Sequence, residues 1–359
     1  MKRTTIILAL ALALSLLAGC AADQKENTAT ASGVEIQFSD GKITTSSTDG
    51  VEIDGTDLTI TASGTYVLYG SCADGSVTVE KGVDGVTLVL NGLTLTSETT
   101  APIVCGKGSE VAIEAAAGTE NTLTDTESNN DETGNTDAEN AVIKCKDGSQ
   151  VMLCGAGTLN VQANGKNGIK SGATTEDGEA SLTIRDLTLN IDAPVNDAVN
   201  AEAALEVESG TLTLSAGDDA LHCDYALNIG AEGTDGPSVT VTSCYEGLEG
   251  ATVNVFSSSI SIQSTDDCIN AANADLAGYS YELNISGGTT EMPDKNMQNG
   301  QPGTGGQPNG KEPPSGEERP DGEERPAQGG FGGQKPDGST PPERQEGEYS
   351  QNNGSDAKV

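Results

Sequence analysis

Five short segments of this chain repeat one pattern, and the repetition restricts the folds open to it. They are Asn167-Gly-Ile-Lys-Ser171, Asp197-Ala-Val-Asn-Ala201, Asp219-Ala-Leu-His-Cys223, Glu246-Gly-Leu-Glu-Gly250 and Asp267-Cys-Ile-Asn-Ala271. Each runs polar, small, aliphatic, polar, small. The central aliphatics Ile169, Val199, Leu221, Leu248 and Ile269 are separated by 30, 22, 27 and 21 residues. Ala141–Cys145 and Pro102–Cys105 read as weaker, earlier copies. Two further alternating segments stand between the marks. The segments of one set begin at Val111, Val151, Leu182, Leu205, Leu227, Val253 and Leu283, those of the other at Leu159, Leu189, Leu212, Val239 and Ile260. Period-two alternation rich in Val, Ile and Thr predicts strands, and the Gly, Asn and Asp between them predict turns.

Three short strands in the same order in each unit predict an all-β chain, folded as a right-handed, single-stranded parallel β-helix, a three-faced solenoid. A leucine-rich repeat would need a helical segment per unit, and a sandwich would not keep the order. Successive coils of such a fold lie about 4.8 Å apart, so equivalent residues form ladders. The composition suits it: there is no Trp, apolar residues make up 34% and 46 residues are Gly. Small aliphatics can bury themselves against the coil above and the coil below. Residues 33–92 are expected to supply the first coils, and the acidic Thr124–Asn140 stretch a loop inserted at a corner.

The two ends have other characters. Met1-Lys2-Arg3, an apolar run from Ile6 to Leu17 and then Leu17-Ala18-Gly19-Cys20 predict an export signal over 1–20. Its last four residues resemble a bacterial lipobox, which implies lipidation at Cys20 and anchoring on the extracellular face of the cytoplasmic membrane. Residues 21–32 read as a tether, 33–291 as the β-helix, and 292–359, rich in Pro, Gly, Gln, Asn and Glu, as a disordered tail. Seven cysteines remain beyond Cys20, without a Cys-x-x-C pair, and are expected to be small buried thiols rather than a disulfide framework or a cysteine zinc site.

Formal net charge is −37, with 55 acidic residues against 18 basic, which excludes the basic footprint that nucleic acid requires. Stacked by repeat, Asn167, Asp197, Asp219, Glu246 and Asp267 form one column. Lys166, Asn196, Asp218, Tyr245 and Asp266 run beside it, and Lys170, Asn200, His222, Glu249 and Asn270 follow three positions on. Carboxylates about 5 Å apart repel unless protonated or bridged by a cation. Asp, Glu and Asn oxygens are what Ca²⁺ prefers, so Asp197, Asn200, Asp218, Asp219, Glu246, Glu249, Asp266, Asp267 and Asn270 are the expected calcium ligands. A solvated acidic turn is the alternative. His222 reads as a satisfied polar residue rather than a catalytic base.

Several phrases, Gly64–Leu68 (GTYVL), Val86–Gly92 (VTLVLNG) and Gly118–Asp125 (GTENTLTD), together with the repeats, resemble the clostridial cell-surface carbohydrate-binding β-helix family. That family is similar in fold to the family 9 pectate lyases. The resemblance covers about residues 50–290 and implies Ca²⁺ sites and binding of acidic polysaccharide such as polygalacturonate, with cellulose as a further ligand. An acidic chain would meet an acidic polymer through bridging Ca²⁺, and the lack of Trp argues against a stacking platform for neutral sugars. The first expectation is thus a non-catalytic, calcium-dependent polysaccharide binder. The alternatives are a pectate lyase, a polygalacturonase-like hydrolase and a structural β-helix without glycan binding. A lyase needs a base, and the nearest are Lys144, Lys146, Lys166 and Lys170, with ordinary surface lysines the blander reading. The hydrolase ranks last, since no Gly-His-Gly or Arg-Ile-Lys motif accompanies Asp218-Asp219 or Asp266-Asp267.

Overall fold

The computed structural model describes residues 33–176, 178–271, 282–286 and 289–291. The lipobox with Cys20, the tether and the expected tail over 292–359 lie outside the described residues. Among those described, the chain is all-β, with 26 strands and a single 3-10 turn at Asp131–Thr133. The named pairings are parallel except for two hairpins.

Three sets of strands account for the parallel pairing from residue 103 onward. The first runs from Ile103–Cys105 through Ala141–Cys145, Asn167–Ser171 and Val199–Ala201 to the starts of Leu221–Ile229 and Leu248–Phe256, ending at Ile269–Asn270. Its register matches Ile103, Ile143, Ile169, Val199, Leu221, Leu248 and Ile269 one above another. The second set aligns Val111, Val151, Leu182, Leu205, Leu227, Val253 and Leu283. The third aligns Leu159, Leu189, Leu212, Val239 and Ile260. In the regular part of the stack each strand therefore pairs with the strand three places along the chain, as the repeat predicts.

Alternation explains the core. Leu182 and Ile184, Leu189 and Ile191, and Leu205 and Val207 are buried, while the residues between them face outward. Each fully buried aliphatic contributes roughly 1.5–3 kcal/mol, so a stack of Leu, Ile and Val needs no large aromatics. Outward-facing amides form short ladders of their own: Asn190 Nδ2 donates to Asn160 Oδ1 at 2.9 Å and Asn254 Nδ2 to Asn228 Oδ1 at 2.7 Å. At the strand ends, close backbone approach selects glycine. A Cβ on Gly155 would lie 2.3 Å from the Ala115 carbonyl oxygen, and its φ of +109° already disfavours other residues.

The first residues depart from a plain series of parallel coils. Val34–Ser39 pairs antiparallel with Lys42–Thr45 across Asp40-Gly41, and Val51–Asp54 with Asp57–Ile60 across Gly55-Thr56. Tight Gly-containing two-residue turns close hairpins rather than crossovers. Val34–Ser39 then pairs parallel with Gly64–Cys72, and Asp57–Ile60 with Ser76–Val79, which joins the hairpins to the stack. The acidic insertion is well tied down: buried Asp125 accepts from the Asn164 and Gly165 backbone N–H groups at 2.6 and 3.1 Å, and Asn129 donates to it at 2.9 Å. Six cysteines carry free thiols as expected, five of them buried.

Candidate functional site

The column of polar residues stands where the first-set strands begin, and backbone bonds fix its rungs. Gly168 N donates to the Asp197 carbonyl at 3.0 Å, Ala198 N to Asp219 at 2.9 Å, Ala220 N to Glu246 at 3.0 Å and Gly247 N to Asp267 at 3.0 Å. Two residues on, the strands lock into parallel register, which stacks Lys144, Lys170, Asn200, His222, Glu249 and Asn270 in that order. The ladder is thus one continuous feature, and it extends upward to Lys144.

Depth varies along it in a way that the spacing does not reveal. Asn167, Asp197 and Asp219 are buried at 2%, 4% and 6% exposure, Glu246 is half-buried, and Asp218, Asp266 and Asp267 are exposed. At the buried end the carboxylates serve as backbone and amide acceptors. Asp197 accepts from the Asp219 N–H at 3.1 Å and from Asn200 Nδ2 at 2.6 Å. Asn196 Nδ2 donates to Asn167 Oδ1 at 2.7 Å. At the outer end Asn270 Nδ2 donates to Glu246 Oε2 at 2.8 Å. Exposed Tyr245 shares a hydrogen bond with Asp266 that raises the phenol pKa.

Burial and mutual repulsion make these acids weaker. Asp197 is pushed up to about 6, first by burial and also by the neighbouring Asp219 charge, against the bonds it accepts. Burial likewise raises Asp219, Asp218 and Glu246.

The centre of the ladder holds a cation supplied by the chain itself. His222 Nδ1 lies 3.0 Å from Asp219 Oδ2 and 2.8 Å from Glu249 Oε2, while Nε2 lies 3.0 Å from Asp224 Oδ1. Burial pulls the imidazole pKa down, but the hydrogen bonds to Asp219, Asp224 and Glu249 outweigh it and lift it to about 12. His222 is a satisfied residue, as the sequence suggests, and its three carboxylate neighbours favour its charged form when no metal is bound. Asp219 and Glu249, expected as oxygen ligands, face this imidazolium. Asp224 escapes the repeat alignment because it is not a rung of the polar columns; its signal is the His-x-Asp spacing, which puts both side chains on one side of the strand.

Oxygen donors without an imidazole stand at Asp218, Glu246, Asp266, Asp267 and Asn270, but among the described residues the fold brings three His, Cys, Asp or Glu ligand atoms within 4.8 Å of one another at Asp219, His222 and Glu249 and not on these rungs. The donor chemistry of the outer rungs fits Ca²⁺, whereas the His222 centre does not. Of the four lysines, Lys146 bonds Glu139 at 2.7 Å, and Lys166 contacts Glu132 at 2.9 Å and Asp131 at 3.8 Å, so both tie down the inserted loop. Lys170 lies 3.4 Å from Glu202. Lys144 is held below the usual lysine range, first by burial and next by the Lys170 ammonium. A separate groove of about 550 Å³ lies along the second set, lined by Arg185, Glu206, Glu208, Asn228 and Phe256 among others, and no column residue lines it.

A model of the carbohydrate-binding domain-containing protein family matches residues 54–243, more than half of the chain. The chain belongs to this family. The match starts near where the resemblance was expected to begin and ends at 243, before the outermost rungs. A carbohydrate-binding domain-containing protein of Acetivibrio thermocellus is 28% identical over 176 residues, covering 48% of this chain and 61% of the relative. The chain thus spans about three fifths of the length of that family relative. Among solved structures, a polysaccharide lyase-like protein from C. thermocellum, in a gadolinium derivative, aligns with a TM-score of 0.43 and 22% identity over 72% of this chain and 94% of the other. Family membership supports carbohydrate as the class of ligand.

Proposed function

We propose that this chain binds acidic polysaccharide of the polygalacturonate type at the cell surface, without cleaving it, through Ca²⁺ held on the acidic ladder. In this reading the three strand sets wind as a right-handed parallel β-helix and a lipid on Cys20 tethers the chain to the membrane. The ligands come from Asp197, Asn200, Asp218, Asp219, Glu246, Glu249, Asp266, Asp267 and Asn270. The exposed rungs from Asp218 to Asn270 carry most of the binding, because Asp219 and Glu249 already face His222. The observation that carries the proposal is the alignment of oxygen donors on successive rungs, buried at one end and open to solvent at the other. A bound cation there reverses the local charge and lets a uronate carboxylate approach a chain of net charge −37.

A calcium-dependent lyase is the second reading, favoured by one observation. Lys144 and Lys170 stand in the same column as Asn200 and His222, and Lys144 has the lowered pKa that suits a base taking a proton alpha to a carboxylate. One experiment separates the two. Polygalacturonate beads are incubated with the protein with and without EDTA while absorbance at 235 nm is followed. Retention lost in EDTA with flat absorbance is the expected result. Rising absorbance replaces the binder with the lyase, and no retention in either condition removes both.

A further inference from the structure

We propose that Asp219 Oδ2, His222 Nδ1 and Glu249 Oε2 form a site for one borderline divalent cation of the Zn²⁺ class, with Asp224 orienting the imidazole. This inference depends on neither Ca²⁺ nor a glycan; in it Asp219 and Glu249 serve this ion and leave calcium the remaining oxygens of the ladder. The three ligand atoms come from different positions on two successive rungs and lie within 4.8 Å of one another. His222 Nδ1 faces both carboxylates at 3.0 and 2.8 Å. An imidazole lone pair cannot face two carboxylate oxygens at that range unaided; without a metal a proton on Nδ1 lies between them, and the ion would bind by displacing that proton to solvent. Around tetrahedral zinc, with bonds of about 2.0–2.1 Å, neighbouring ligand atoms sit about 3.3 Å apart. Small outward movements of the two carboxylates would therefore admit the ion.

Asp224 supplies what such a site needs behind the ligand. Its Oδ1 lies 3.0 Å from Nε2, so that nitrogen keeps its hydrogen against Asp224 and Nδ1 is the one that would give up a proton to the metal. A carboxylate behind a metal-bound histidine fixes the ring and raises its basicity. Nitrogen selects the metal, since imidazole suits Zn²⁺, Ni²⁺ or Co²⁺, whereas Ca²⁺ takes six to eight oxygens. Asp219 is buried while His222 and Glu249 side chains keep 17% and 18% exposure, so the remaining position of a tetrahedron opens toward solvent.

The chain has a single histidine, which makes the test unambiguous. The full chain, produced without a histidine tag, is titrated with Zn²⁺ by calorimetry and with Co²⁺ while the imidazole proton resonances are recorded. The expected result is one equivalent bound, paramagnetic shifts of the His222 resonances, and retention of the ion against an excess of Ca²⁺. His222→Gln should lower affinity at least as much as Asp224→Asn, for which a loss of about 10–100-fold is expected. Unmoved imidazole resonances while the ion binds would assign it to surface carboxylates and overturn the proposal. Unchanged affinity in His222→Gln, or displacement by Ca²⁺, would do the same. The resonance measurement uses the wild-type chain, so it decides even if a variant does not fold.

Discussion

Asp197 carries a charge that its surroundings resist. It is 4% exposed, stands one rung from Asp219, and has its pKa raised from 3.8 to about 6. A folded-state pKa above the unfolded value means that the native state holds the proton more tightly. The associated stability is fully present below the unfolded pKa near 4 and is lost as pH rises through about 6. A shift of this size corresponds to roughly 3 kcal/mol. Asp197→Asn keeps an oxygen to accept from the Asp219 N–H, and Asn200 can turn its amide to meet the new one. The stability of this variant relative to wild type should therefore rise by roughly 2–3 kcal/mol between pH 4 and pH 7. Denaturant unfolding of both proteins in EDTA at the two pH values measures it, and an unchanged difference would show that the Asp197 proton is held no more tightly than in the unfolded chain.

Among the strands, the residues that join rungs matter more than those that fill them. Asn121 is wholly buried within the strand Glu120–Thr124, and its Oδ1 accepts from the Gly92 and Leu93 N–H groups at 2.9 Å each. Its Nδ2 donates to Thr119 Oγ1 at 3.0 Å and to the Thr158 carbonyl at 3.2 Å, so one side chain ties three successive rungs. Asn121→Ala strands buried backbone donors and should cost about 2–3 kcal/mol in chemical denaturation; Asn121→Asp, which keeps the acceptor, should recover part of it. Such a clamp does not show in a search for repeats, because its spacing recurs nowhere else. The rung register did show, since Ile169, Val199, Leu221, Leu248 and Ile269 must sit at equivalent heights to bury one another. The hairpins at Asp40-Gly41 and Gly55-Thr56 carried a local signal that the period of three strands concealed. At the site, stacking was legible and depth was not: the pattern places Asp197 and Asp267 in one column, but only the packing of the turns sinks one and leaves the other in solvent.

Across the whole molecule, a chain of net charge −37 carries most of its acidic residues in a stack in which each rung meets chiefly its neighbours. Monovalent salt relieves the general repulsion by screening, with a Debye length of about 10 Å at 0.1 M. Ca²⁺ can act in a second way, by joining oxygens of consecutive rungs, and a ligand at about 100 times its dissociation constant stabilises by about 2.7 kcal/mol. The two contributions separate by comparing melting in millimolar CaCl₂ with melting in NaCl of equal ionic strength. Calcium should raise the melting temperature further. Asp266→Asn combined with Asp267→Asn, both exposed positions, should remove most of that increment and leave the sodium effect intact. Equal rises in the two salts would mean that the ladder is screened rather than bridged. The calcium-held glycan reading would then fall, while the His222 centre, which asks for a different ion through a nitrogen ligand, would stand or fall on its own measurement.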